Sequence, residues 1–230
     1  MPLLRRRARG VGLGARHREL PLRRRAVAFG ALQRRGALHP GETVLVLGSA
    51  GGVGTAAVQI AKAMGANVIA MVHRPGAVDF VESLGADAVL PLTDGWRDAV
   101  LAHTGGRGVD MGVDPVGGPA FDDAIRVLAT EGRLLVIGFA AGGIPTVKVN
   151  RLLLRNVGVL GVGWGEFVNR TPGAQAEVGA ALGALGYARA HTGSARAFIF
   201  APGTAPAIGA DILSAAGLSD VFTFDTGGAP

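Results

Sequence analysis

TVLVLGSAGGVGTAAVQIAKA, residues 43–63, changes its periodicity at the midpoint. Its first six residues, TVLVLG, form a β-branched and aliphatic run that reads as a buried strand. From Val53 onward, Val53, Ala57, Ile60 and Met64 recur at the spacing of one helical face. Gly48, Gly51, Gly52 and Gly54 lie at the junction. Strand, glycine turn and helix therefore follow one another directly. The uncharged run from Thr43 to Ala61 approaches the roughly 20 residues of a membrane span. The glycines and the change of period argue against a span there.

Outward from this unit the alternation continues. Residues 67–72 (NVIAMV) predict a second strand, and residues 77–84 a helix stopped by Gly85. Residues 88–90 predict a short strand before Pro91, and Asp94 a cap for a helix running to about His103. Strands are expected at 109–113, 133–138 and 156–162, with a helix at 121–129 opened by Asp122 and Asp123. Apolar strands separated by amphipathic helices imply a parallel sheet covered on both faces. With right-handed crossovers this is an α/β, doubly wound parallel sheet of the Rossmann type. Irregular N- and C-terminal flanks are expected around it. The predicted partition is an Arg-rich arm at 1–37, a dinucleotide-binding domain at 38–167 and an Ala/Gly-rich segment at 168–230. No repeat with a period of about 20–50 residues is visible.

Composition limits the chemistry. The chain has 230 residues, 49% of them hydrophobic, enough for a sizeable core. It has no cysteine, which excludes a disulfide scaffold, a cysteine nucleophile and a thiolate metal site. His17, His39, His73, His103 and His191 show no metal-ligand spacing, so no metal is expected. The net charge of +6 would suggest an acidic partner, but it is concentrated. Residues 1–35 hold eleven arginines and one acid, Glu19, whereas the remainder holds 12 basic and 16 acidic residues. No aromatic side chain precedes Phe29, so the arm offers no base stacking, and a solvated tail is expected rather than a nucleic-acid site. The N-terminus lacks the apolar run of a secretory signal, and a cytoplasmic protein without a membrane partner is expected.

The glycine turn points to a dinucleotide. Gly51 and Gly52 let the backbone approach a pyrophosphate, Gly54 lets helix and turn pack closely, and Val53 opens the helix whose N–H groups face the phosphates. Ser49 stands where the first glycine of G-x-G-x-x-G usually lies, so the pattern is met in part. Cofactor preference is read after the second strand, which leaves as Met71-Val72-His73-Arg74-Pro75 with no acid to hold a ribose 2′-hydroxyl. Arg74, with His73 beside it, is the expected partner of a 2′-phosphate. NADPH is therefore the expected cofactor.

Residues 40–70 (PGETVLVLGSAGGVGTAAVQIAKAMGANVIA) closely resemble the zinc-independent quinone oxidoreductase branch of the medium-chain dehydrogenase/reductase superfamily. The resemblance continues through residues 83–91, 104–118, 132–145 and 149–162, covering about 38–167. It implies an NADPH-binding domain presenting the nicotinamide to a quinone, enone or related electrophile. It also implies that Val136, Ile137, Gly138 and Phe139 line the nicotinamide face, with the loop from Asp114 to Gly118 in the same crevice. Asn150 is read equally as a cofactor neighbour or as ordinary loop geometry. Family members place a β-rich catalytic domain before the segment matching residues 29–41, and agreement fades after about Leu185. No catalytic side chain is therefore named, and Tyr187 is not promoted to a proton donor.

Without that domain an apolar face would be exposed, which favours homodimer formation or aggregation. Only Lys62 and Lys148 are lysine, and the Arg/Ala/Gly bias suggests GC-rich coding with both ends shifted in frame. The leading expectation is an NADPH-dependent reductase. The alternatives are a non-catalytic NADPH-binding remnant and a basic-arm nucleic-acid binder.

Overall fold

The computed structural model describes residues 22–171, 186–189 and 196–199. Expectations placed on the arginines at 5–9, on His17 and on His191 lie outside these residues, as does most of the segment after 171.

Six strands form one parallel sheet. They are β1 (Thr43–Val46), β2 (Asn67–Val72), β3 (Ala88–Pro91), β4 (Val109–Asp114), β5 (Leu128–Val136) and β6 (Gly158–Gly161). Their order is β3-β2-β1-β4-β5-β6. The chain moves outward from β1 to β3, then crosses back to continue from β4 on the other side of β1. β1 is in register with β2 through Val44↔Val68 and with β4 through Val44↔Met111. The sequence thus identified the sheet class correctly.

Alternation along β1 explains the two-sided core. Val44 and Val46 face one layer with Val68 and Ala70, whereas Leu45 and Leu47 face the other with Ile69 and Met71. The first layer is closed by α1 (Leu22–Phe29) and α2 (Gly52–Ala63). The second is closed by α4 (Trp96–His103) and α5 (Ala120–Arg126) through Trp96, Val100, Phe121 and Ile125. Between them in sequence, α3 (Val78–Glu82) buries Val81 in the first layer. A short α6 (Asn150–Arg155) precedes β6, and α7 (Trp164–Arg170) follows it. Two further strands, β7 (Gly186–Arg189) and β8 (Arg196–Ile199), pair antiparallel with one another. Among the described residues no helix is long and apolar enough to cross a membrane.

Several local expectations change. Residues 22–35, read as part of an irregular arm, are helical: α1 continues into a π-helical turn, Gly30–Arg35. Ala28, Ala31 and Leu32 of this segment are fully buried. Its arginines obscured an apolar stripe made largely of alanine. Asp94 makes no cap bond, because Gly95 occupies the N-cap position in the left-handed region at φ 80°. The helix expected at 77–84 is a 3₁₀ turn, Pro75–Ala77, followed by only Val78–Glu82. The helix expected at 121–129 stops at Arg126, and β5 starts at Leu128 because Leu128 already pairs with Val109. The extra residues are absorbed by a register shift and by Glu131 at φ 65°.

Arg133 ties the N-terminal edge of the sheet to the segment before β1. Its Nη1 and Nη2 donate to Glu42 Oε1 and Oε2 at 2.6 and 2.7 Å, and its Nε donates to the Gly36 carbonyl at 2.7 Å. Burial pushes the Glu42 carboxyl up. The hydrogen bonds from Arg133 and the His39 N–H, with the Arg133 charge, outweigh it and hold Glu42 below its ordinary value.

Candidate dinucleotide site

The site lies at the carboxyl ends of β2, β1, β4 and β5. β1 is followed by Leu47, whose N–H donates to the Val113 carbonyl, and Gly48 turns the chain at φ 60°. Ser49 is fully buried. Its N–H donates to the Met71 carbonyl, and its Oγ lies 2.8 Å from the Val46 carbonyl and 3.0 Å from that of Met71. Ser49, counted from the sequence among the cofactor-binding residues of the turn, directs its hydroxyl at these carbonyls and braces the turn between β1 and β2. Thr55 Oγ1 adds a bond to the Ser49 carbonyl at 3.0 Å.

The first N–H of α2 to bond back along the helix belongs to Thr55, whose acceptor is the Gly51 carbonyl. Among the described residues the N–H groups of Gly52, Val53 and Gly54 have no backbone acceptor outside the helix, as expected for a helix start. They stand at the positive end of the α2 dipole. A Cβ at Gly54 would strike the backbone of Gly48 and Ser49, so the helix can approach the turn only with glycine there. A Cβ at Gly51 would come within 3.2 Å of the Gly48 carbonyl. The turn thus presents backbone N–H groups at a helix start, an arrangement suited to an anion.

His73 and Arg74 follow β2 and are both exposed, with Arg74 extended at the N-cap of the 3₁₀ turn. On the other side of β1, the loop after β4 rests against the glycine turn: a Cβ at Gly48 would lie 2.8 Å from Val116 Cγ2. The loop after β5 lies along this second loop. Ile137 N–H donates to the Asp114 carbonyl, Ala140 N–H to that of Pro115 and Ala141 N–H to that of Val116. Gly117, at φ 65°, leaves room for Phe139, whose Cδ1 would be 3.0 Å from a Cβ there. Ser49, Gly51, Gly52, Val53, Gly54, His73, Arg74, Ile137, Gly138 and Phe139 therefore all lie along one edge of the sheet. Asn150 is exposed at the start of α6.

Two further residues shape this edge. Asp114 is fully buried, and its Oδ1 accepts from the N–H groups of Val116 and Gly117, both at 2.8 Å. Its Oδ2 is buried without a hydrogen-bond partner. Burial pushes its pKa up, and the two N–H donors offset this only in part. An apolar strand ending in aspartate before a glycine pair carried a signal for this turn. The other residue is Arg24 on α1, whose Cδ, Cζ and Nη1 occupy the space that a Cβ on Gly52 would fill. Nothing in its spacing distinguishes it from the other arginines of the arm. A cavity of about 300 Å³ beside Trp164 and Phe167 contains none of the predicted site residues.

Fold and site together define a Rossmann-type dinucleotide-binding domain. Residues 52–179, more than half of the chain, match the family described as zinc-binding dehydrogenases, and the chain belongs to that family. Among its members it resembles the quinone oxidoreductase-like proteins. It is 39% identical over 139 residues to quinone oxidoreductase-like protein 2 of Rattus norvegicus, covering 60% of this chain and 40% of the relative. A probable oxidoreductase from Mycobacterium abscessus is 57% identical with a TM-score of 0.61, covering 69% of this chain and 47% of that one. A mycobacterial protein solved in complex with NADPH is 31% identical with a TM-score of 0.65, covering 69% of this chain and 50% of that one. The chain therefore spans two fifths to one half of these proteins. The family name refers to zinc. The chain has no cysteine, and among the described residues no three potential ligands gather, so the donor set does not fit a metal there.

Proposed function

We propose that this chain binds NADPH along the β2-β1-β4-β5 edge and acts as a reductase of the quinone oxidoreductase type. The observation that carries the reading is the arrangement around Gly51 to Gly54. Helix-start N–H groups face a glycine cradle, with Arg74 at the neighbouring strand end and the Ile137–Phe139 loop on the other side. In this reading Gly51, Gly52, Val53 and Gly54 receive the pyrophosphate through backbone N–H groups. Ser49 holds the turn from behind. Arg74, assisted by His73, pairs with the 2′-phosphate, and Ile137, Gly138 and Phe139 support the nicotinamide. When bound, NADPH supplies a hydride, and the substrate class is a quinone, an enone or a related carbonyl electrophile. Residues 38–167 form the cofactor-binding unit and the protein works in the cytoplasm.

A second reading is cofactor binding without turnover. It is favoured by the exposure of Phe139 and of Ile144 in the following loop, 43% and 77%, which leaves the nicotinamide side open to water. Calorimetric titration with NADPH and NADH, followed by quinone-dependent oxidation of NADPH, tests both. Micromolar binding with NADPH preferred, plus turnover, supports the reductase. Binding without turnover supports the second reading, and a folded chain that binds neither cofactor refutes both.

A further inference from the structure

We infer that Arg24 is a pyrophosphate ligand, closing over the glycine turn from α1. The inference rests on the proposed cofactor reading and adds to it a side chain from outside the glycine turn.

The placement follows from packing. Ala28 and the π-helical residues Ala31 and Leu32 are fully buried in the layer that also contains Ala57, Ile60 and Ala61 of α2. Arg24 lies four residues before Ala28, one helical turn earlier on the same face. Side chains on a helix lean toward its N-terminus, which carries the guanidinium away from the buried alanines and toward the start of α2. There its Cδ, Cζ and Nη1 lie directly over Gly52. A Cβ at position 52 would displace the guanidinium from this place.

The electrostatics are unbalanced without an anion. A helix start carries partial positive charge, and cations are favoured at the opposite end. Here a guanidinium rests against the start of a twelve-residue helix. Among the described residues no carboxylate forms an ion pair with Arg24. The same spot presents the N–H groups of Gly52, Val53 and Gly54. A diphosphate would accept from these groups and from the planar guanidinium together, and would relieve the repulsion between guanidinium and helix start. The half of the cofactor recognised is the pyrophosphate, which NADPH and NADH share. Arg74 recognises the 2′-phosphate, which only NADPH carries.

That difference sets the test. Wild type, R24Q, R24K and R74A are titrated with NADPH and with NADH at low and at moderate salt, and the melting temperature without cofactor is recorded for each. The expected result is that R24Q weakens both cofactors by a similar factor, about tenfold, and flattens the salt dependence. R24K recovers part of the loss, and R74A weakens NADPH alone. Because Arg24 is exposed and its charge opposes the start of α2, R24Q should leave the cofactor-free melting temperature unchanged or slightly raised, never lowered. Unchanged or tighter binding by R24Q, while wild type binds, overturns the assignment of Arg24 alone. A loss confined to NADPH overturns the pyrophosphate assignment. Failure of the wild-type chain to bind either cofactor overturns the cofactor reading and this inference with it.

Discussion

Gly54 of α2 lies so close to Gly48 in the turn after β1 that a Cβ on Gly54 would be 2.8 Å from the Gly48 carbonyl carbon and 2.8 Å from Ser49 Cα. Both obstacles are backbone, so neither can rotate away. Gly54→Ala must therefore move helix and turn apart. The expected cost is about 1–3 kcal/mol in denaturant unfolding, together with loss of NADPH binding. Gly76→Ala is the control, since nothing lies within 4 Å of its Cβ position. Equal stability of the two variants would count against the close approach.

Arg74→Ala is expected to lower NADPH affinity about 10- to 100-fold and to leave NADH affinity unchanged, as for loss of a hydrogen-bonded charge. Arg74 is exposed and packs no core, so folding is not at stake. An unchanged NADPH/NADH ratio in calorimetry would sink its role.

Ser49→Ala separates a brace from a ligand. The Ser49 hydroxyl is buried and directed at the Val46 and Met71 carbonyls. Its removal should cost about 1–2 kcal/mol of stability and leave the NADPH/NADH ratio untouched. A normal unfolding midpoint with a selective loss of cofactor would show that the hydroxyl faces the ligand instead.

Acid should destabilise this fold through a small set of carboxylates. Glu42, Asp87 and Asp110 are held below their ordinary values of 4.5, 3.8 and 3.8. For Asp110 the cause is foremost the Arg107 hydrogen bonds; for Glu42 and Asp87, the Arg133 and Lys62 bonds overcome the effect of burial. A depressed native pKa contributes stability above the unfolded value and loses it as pH falls through the native one. Asp114 has the opposite sign: its raised pKa costs stability at neutral pH, and that cost vanishes below 3.8. Glu42→Gln should cost about 1–3 kcal/mol at pH 7, by loss of charge-assisted bonds. The gap to wild type should close as pH falls below 4.5. A gap independent of pH, in urea unfolding at pH 7, 5 and 3.5, would show that ionisation of Glu42 contributes nothing.

Much of this molecule was legible because its signals are local. The run of β1 and the helix face of Val53, Ala57 and Ile60 depend on spacing alone, and β2 was read to the residue. The parallel sheet followed from strands apolar on both faces, which only two covering layers can bury. Local rules failed where a distant partner decided. Leu128 belongs to a strand because Val109 lies beside it, and Gly95 rather than Asp94 opens α4. The α1 stripe was hidden because alanine and arginine carry little pattern until α2 provides a surface to bury against.

The sequence by itself determined the order of the six sheet strands, the glycine turn, the absence of cysteine chemistry and an arginine rather than an acid after β2. Only the tertiary structure decided what each side chain does there. It turned the Ser49 hydroxyl inward, buried one Asp114 oxygen without a partner, and laid the loop after β5 along the loop after β4. It also brought Arg24 against Gly52, 28 residues away in the chain. Spacing encodes which face of an element is apolar. It does not encode which residues of another element that face will meet, because burial against a distant surface is non-directional and is settled only when the layers close.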